Sequence, residues 1–422
     1  MARPSSPAAL ARIAALGCLS LCACRLPDWD VTNRLRASDA EVASALGDTT
    51  QRKHDEDIAA EIPVIPYPRA LRPCCAFGAD LTVEIGLVPV PGVEIGNLLE
   101  PDGIGNHRYD NGALSFERKD PRGFVDQEHN GLVYTCRGGF IDLAHVRDNA
   151  DNTLALAAAI ARGLRTGVAL EVPPQGAALR VRVRPLSSEA IEKYGTLPLA
   201  TAAAQWVAYQ LSIWHEIATF YGYAALASWP EKLSSFSPED LYSNQLGARI
   251  AGGIIHAKGA RSSLEYDLSM DAWLERALER LDAVPLADSQ QAMRALDGAW
   301  WDSHKRIPDW TLVMRRHFDV GPYLAPWVLE EASPGANGPV EPLASCRDSA
   351  PPLVLYVHDG FAGALFRDYA TLEIEVGESL VAAGFPLPRA PSRALTQADF
   401  PAVIDAIHAA SVAQFGPGAG AP

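Results

Sequence analysis

Residues 214–222 read WHEIATFYG, and His215–Glu216 opens as a helical zinc-hydrolase motif opens, with an imidazole, a carboxylate and two apolar residues. That motif presents two histidines one turn apart, while its glutamate activates the water that the metal polarises. Thr219 stands where the second histidine belongs. Threonine is a poor zinc ligand, so this stretch supplies one imidazole. A catalytic zinc takes about three protein ligands and keeps a position open, so the others must come from elsewhere. Glu216 is the only Asp, Glu, Lys or Arg between Lys193 and Glu231. A carboxylate buried in so apolar a run is costly unless it meets a cation, a metal or hydrogen-bond donors. Ser212, His215, Glu216 and Thr219 share one helical face and form a narrow polar stripe.

A second segment, GGFIDLAHVRDNAD at 138–151, spaces Asp142, His145 and Asp148 three apart at the start of a helix. Asp142 and His145 share a face, and carboxylate plus imidazole at that spacing suits Zn, Mn or Fe. A solvated polar face fits the same residues, with Asp142 at the helix N-terminus and Arg147 paired to Asp148 or Asp151. FSPEDLYSN at 236–244 adds Glu239 and Asp240, placed in the first turn of a helix capped by Ser237. A carboxylate from a following helix also completes some single-zinc hydrolase sites. The expected metal site is therefore His145 and His215 as imidazole ligands and Asp142 or Glu239 as the carboxylate ligand, with zinc the expected ion. Glu216 is left as general base for the water that the ion activates.

Thiol chemistry is the competing reading. Cys136 ends a strand just before the Gly138–Gly139 turn into a helix. A helix N-terminus lowers a thiol pKa, and His145 or His215 can serve as its base. This Cys136-dependent thiol hydrolase is similar to the Cys–His pair of cell-wall amidopeptidases, but their Asp-Cys-Ser-Gly setting is replaced here by YTCRGG. A disulfide competes for the same sulfur. Cys74, Cys75, Cys136 and Cys346 are even in number, and the adjacent Cys74 and Cys75 are expected to reach different partners, Cys136 near and Cys346 far. The third reading is a non-catalytic structural lipoprotein of the envelope, whose polar stripe only holds the fold.

The N-terminus places the protein. Arg3 and Arg12 precede the short apolar run IAALGCLSL at 13–21, and LCAC closes it with Ala23 before Cys24. Residues 1–24 read as a lipoprotein signal peptide with Cys24 as the lipidated residue; an ordinary secretory signal cleaved nearby is the alternative. By resemblance to sorting in enteric bacteria, Arg25 rather than Asp after the cysteine implies the outer membrane facing the periplasm. The expected partners are the membrane, through the lipid anchor, and an envelope substrate. A net charge of −15 with scattered arginines argues against nucleic acid.

The elements that must position these residues read as α+β. Residues 25–70 are polar and proline-punctuated, a tether in which 48–61 can form a short helix. The body runs from 71 to 330, and 331–422 is a linker plus a C-terminal β/α segment packed on it. LVYTC at 132–136 reads as a buried strand, and Leu179, Val181 and Val183 line one face of a hairpin strand. Helices are expected from Ile141 to about Arg162, from about Leu199 to Tyr223, over 237–255 and over 269–283. AMRALDGAWWDSHKRIPDW continues helical up to Pro308, and a last helix starts from a Thr396–Asp399 capping box. Helices dominate the middle, with small antiparallel sheets near both ends.

RPCCAFG (72–78), YTCRGGFIDLAHVRD (134–148), WHEIATFYG (214–222) and SSFSPEDLYSN (234–244) together resemble an uncharacterised bacterial domain-of-unknown-function family of envelope lipoproteins. The resemblance covers about residues 71–330. It implies an envelope location and supplies no catalytic residues.

Overall fold

Residues 143–163 and 196–220 form long buried helices, the second apolar nearly throughout and the first opening on a polar stretch, His145 to Thr153, that is buried all the same. The computed structural model describes residues 37–47, 62–85, 88–110, 128–225, 230–332, 341–361 and 363–422. The expected signal peptide, Cys24 and the helix at 48–61 lie outside the described residues.

The helices are α1 (Asp39–Leu46), α2 (Leu143–Gly163), α3 (Ser188–Tyr194), α4 (Thr196–Phe220) and α5 (Asp240–His256). They continue as α6 (Ser263–Arg280), α7 (Leu286–Ala295), α8 (Glu378–Ala382) and α9 (Phe400–Phe415). The longer strands are β1 (Leu81–Ile85), β2 (Val88–Ile95), β3 (Leu132–Thr135) and β4 (Gly139–Asp142), then β5 (Val168–Val172), β6 (Ala177–Val183), β7 (Ala370–Val376) and β8 (Ala394–Thr396). The fold is α+β and helix-dominated, with small antiparallel sheets.

At the centre α2 packs against both α4 and α5. Gly247 of α5 faces the backbone of Val146 on α2, where any Cβ would collide with the carbonyl. The glycine lets the two helices approach closely and fixes how the first turns of α2 and α5 face each other. Asp142 starts α2: its carboxylate accepts from the Ala144 and His145 amides, satisfying two donors that a helix N-terminus leaves open.

The main sheet has the order β8–β7–β6–β5, antiparallel throughout. On β6, Leu179, Val181 and Val183 are buried and alternate with exposed Arg180 and Arg182, as a period of two demands. Leu372 of β7 pairs with Val181, so the C-terminal segment is built into the sheet of the body.

Four local expectations change. Residues 37–47 are not tether: α1 buries Val42 and Leu46, and the Arg249 guanidinium donates to the carbonyls of Ala45 and Gly47. Residues 62–70 are extended against the body, with Ile65 buried and the Arg69 amide and guanidinium both donating to Asp110. Ser237 does not cap α5. Its amide donates to the Asp240 carboxylate, and the helix begins at Asp240. The run after Met293 stops being helical at Ala295, where a turn through Gly298 (φ 74°) sends the chain back to bridge at Trp301. No helix of the described residues is long and apolar enough to cross a membrane.

Candidate metal centre

The three segments singled out for chemistry meet at the N-terminal end of α2. His145 stands in the first turn of α2, His215 and Glu216 lie near the C-terminal end of α4, and Glu239 and Asp240 begin α5. A fourth segment joins them. The extended chain through Cys74 is held by its amide donating to Glu231, 3.3 Å away, and Glu231 also accepts from the Ala225 amide at 2.8 Å.

The Cys74 Sγ lies 3.1 Å from His215 Nε2 and 3.4 Å from His145 Nε2. All three residues are at most 5% exposed. Their donor atoms fall within 4.8 Å of one another, close enough to hold one ion. A thiolate with two imidazoles is an N/S donor set that suits zinc, and three such ligands leave a position open. Burial, with Glu231 adding to it, pushes the Cys74 thiol well above its usual range, so without a cation the sulfur keeps its proton. Burial and then the charge of His145 depress His215 to about 3, which leaves it neutral, as a ligand must be.

Glu216 is fully buried. Its Oε2 accepts from the Phe236 amide at 2.8 Å, and its Oε1, which no donor satisfies, lies 3.6 Å from His145 Nε2. Burial raises its pKa well above the usual carboxylate range and Asp240 adds to this, against the opposing pull of His145. The hydroxyls of the stripe turn away from the centre. Thr219 Oγ1 donates to the His215 carbonyl at 2.6 Å and Ser212 Oγ to the Tyr209 carbonyl at 2.9 Å, so both are spent on their own helix.

The other edge of the His145 ring meets oxygen. Its Nδ1 lies 3.2 Å from Asp240 Oδ1 and 3.7 Å from Asp142 Oδ2. Asp142 therefore does not stand with His215 around one ion. Its Oδ1 caps α2 and its Oδ2 accepts from the Cys75 amide at 3.2 Å, which holds it on the far edge of the ring. Glu239 is buried, belongs to neither group of converging donors, and neither of its oxygens has a hydrogen-bond partner. Where a carboxylate ligand was expected beside the two imidazoles, a thiol stands instead.

The Cys136 reading fails on covalent grounds. Cys136 is bonded to Cys346, and a bridged sulfur is no nucleophile. Cys74 and Cys75 pair with neither of them and remain thiols. The approach of 346 to the end of β3 leaves Cys74 free to turn toward the histidines.

One turn further along α2 is a second buried polar cluster. Arg72 donates to Glu128 (2.8 Å), Asp148 (2.6 Å) and Asp151 (3.1 Å), and His107 lies 3.0 Å from Asp151. Arg147 reaches the carbonyls of Ile104 and His129 and the side chain of Asn130. The surface expectation for Arg147, Asp148 and Asp151 is thus replaced by a buried network. A cleft of about 620 Å³, lined by Ile104, His129, Asp271 and Glu275, does not include the Cys74 donors.

A family model matches residues 62–330. The chain belongs to the family described as "Protein of unknown function (DUF4056)". No curated protein and no solved structure matches it. All four segments that form the centre fall inside the matched stretch, and that stretch starts nine residues ahead of the expected body, at the segment that carries buried Ile65. Sequence reasoning missed Cys74 and Asp240 as members of the site. The available signal was arithmetic: once Cys136 takes Cys346, the adjacent pair at 74–75 is left without a bridge and free for other chemistry.

Proposed function

We propose that this protein is a metal-dependent hydrolase with Cys74, His145 and His215 as zinc ligands and Glu216 as general base, exported, lipid-anchored at Cys24 and acting on cell-envelope material. One observation carries the reading: a buried sulfur converges on the Nε2 atoms of two histidines, at 3.1 and 3.4 Å, beside a carboxylate oxygen that no donor satisfies. Zinc in that position supplies Lewis acidity and makes water a nucleophile near neutral pH. The chain does the rest. Asp240 Oδ1 lies 3.2 Å from His145 Nδ1, and its charge favours a proton on that nitrogen, leaving Nε2 to face Cys74. The Phe236 amide holds Glu216 by Oε2 and leaves Oε1 without a donor, 3.6 Å from His145 Nε2, placed to take a proton from an attacking water. Export is supported by the charged and apolar pattern of residues 1–24 and by the Cys136–Cys346 bridge, a bond that persists in oxidising compartments.

The test is elemental analysis of the full-length protein with hydrolysis of purified peptidoglycan. Zinc should co-purify, chelation should abolish hydrolysis, and zinc should restore it. Cobalt substitution should give a thiolate-to-metal absorption band that Cys74→Ser removes. A protein that neither carries nor takes up zinc overturns the proposal. The 3.1 Å Cys74–His215 contact favours one rival, a Cys74 thiol hydrolase. Full activity after chelation, lost on alkylation, would establish that rival.

A further inference from the structure

The oxygen-lined edge of His145 is not explained by one zinc ion. Asp142 Oδ2, Asp240 Oδ1 and His145 Nδ1 form a second group of mutually close, buried donors, separate from the Cys74 group except for the shared ring. Asp240 Oδ1 has no hydrogen-bond partner, and neither has Oε1 or Oε2 of Glu239, the residue preceding it in the chain and only 2% exposed. Natural interiors satisfy nearly all such atoms, and buried carboxylates without donors are costly. Glu239 is no member of that donor group and adjoins it as the residue before Asp240.

Charge points the same way. Asp142, Glu216, Glu239 and Asp240 are all buried around one imidazole, and the buried guanidinium acting on Asp240 and Glu216 is that of Arg316. One guanidinium does not offset four buried acids, and cations bound beside them would.

We propose that a second divalent cation binds on the Nδ1 edge of His145, held by Asp142 and Asp240 with Glu239 beside them, making the centre dinuclear with His145 shared between the two ions. The inference rests on the zinc reading of the Cys74 edge. Oxygen donors select a harder ion there, so manganese or magnesium suits this edge as zinc suits the sulfur edge. For His145 Nδ1 to serve as a ligand there, it would release its proton to solvent. No electron is exchanged.

The experiment titrates zinc-loaded full-length protein with manganese and follows free Mn²⁺ by electron paramagnetic resonance, with metal content by elemental analysis. The expected result is one equivalent of zinc plus one equivalent of tightly held manganese. Glu239→Gln and Asp240→Asn should weaken the manganese equivalent at least tenfold and leave the cobalt–thiolate band of the zinc edge in place. Asp142→Asn also disturbs the cap of α2, so Asp240→Asn, whose amide oxygen can still accept from the Ser237 amide, is the decisive variant. One zinc per chain and no manganese uptake overturns the second site and leaves the hydrolase reading standing. Manganese uptake unchanged in both Glu239→Gln and Asp240→Asn also overturns it. Absence of any bound metal overturns both readings.

Discussion

Two buried ionic clusters sit on successive turns of α2, and they are built in opposite ways. Around Arg72 every charge has its counterpart: one guanidinium spans Glu128, Asp148 and Asp151, and His107 lies between Glu128 and Asp151. Glu128 is held well below the usual carboxylate range, since Arg72 and Arg147 outweigh the opposing effect of burial. Around His145 the acids outnumber the cations, carboxylate oxygens go without donors, and a thiol faces two imidazoles. Burial is the same in both places. The protein's own side chains supply three cationic groups to three acids in one, and leave four acids to one guanidinium and one imidazole in the other. The first is therefore a structural clasp that ties residues 72, 107 and 128 to α2, and the second has the unmet demand of a binding site.

That contrast can be broken at either cluster. The largest effect belongs to Cys74→Ser: zinc should be lost and hydrolysis abolished while the folded structure, followed by circular dichroism, persists. A variant that keeps zinc would remove Cys74 from the centre. Glu216→Gln should retain zinc and cut the rate about 10²–10⁴-fold, the usual worth of a positioned general base; an unchanged rate would reduce Glu216 to a packing residue. Arg72→Met should do the reverse. It leaves Asp148 buried without its cation, and urea unfolding should show a loss of about 3–5 kcal/mol, the cost of breaking a buried pair from one side. Replacing Cys136 and Cys346 together by serine should cost about 2–4 kcal/mol with zinc content unchanged, separating the bridge from the site.

The smallest effect is a pH dependence confined to the clasp. Burial opposes the charge of His107, but Asp151 and Glu128 outweigh it and hold the ring up at about 9. A histidine raised in the folded state contributes stability that is complete below its unfolded value of about 6.5 and is lost as pH climbs through about 9. Unfolding free energy should fall by about 1–3 kcal/mol between those limits, and His107→Gln should flatten that slope. A slope unchanged in the variant would place the alkaline transition elsewhere.

How far the site was legible depended on the range of the interactions. The solitary Glu216 in an apolar run, the His145 placement after Asp142 and the buried character of α4 all follow from spacing within one helix, and they meet where the spacing suggested. Glu239 and Asp240 were visible as acids of a first turn. Which of them faces His145 depends on the angle at which α5 crosses α2, and that is set by Gly247 against the Val146 backbone. Arg147, Asp148 and Asp151 read as surface charges because nothing local announces that Arg72, some 76 residues earlier, lies against them.

The sequence by itself determined the class of the fold, the alternation of β6, the run of buried helix and the presence of a histidine–carboxylate pair. These rest on periodicity and on the cost of burying a lone charge, which are properties of neighbours along the chain. Only the tertiary structure decided that Cys136 bridges Cys346, that Cys74 turns to the two histidines, and that acids from α2, α4 and α5 crowd one imidazole. Those outcomes depend on which distant segments come into contact, and a sulfur or a carboxylate carries no local mark of the partner that packing will bring to it.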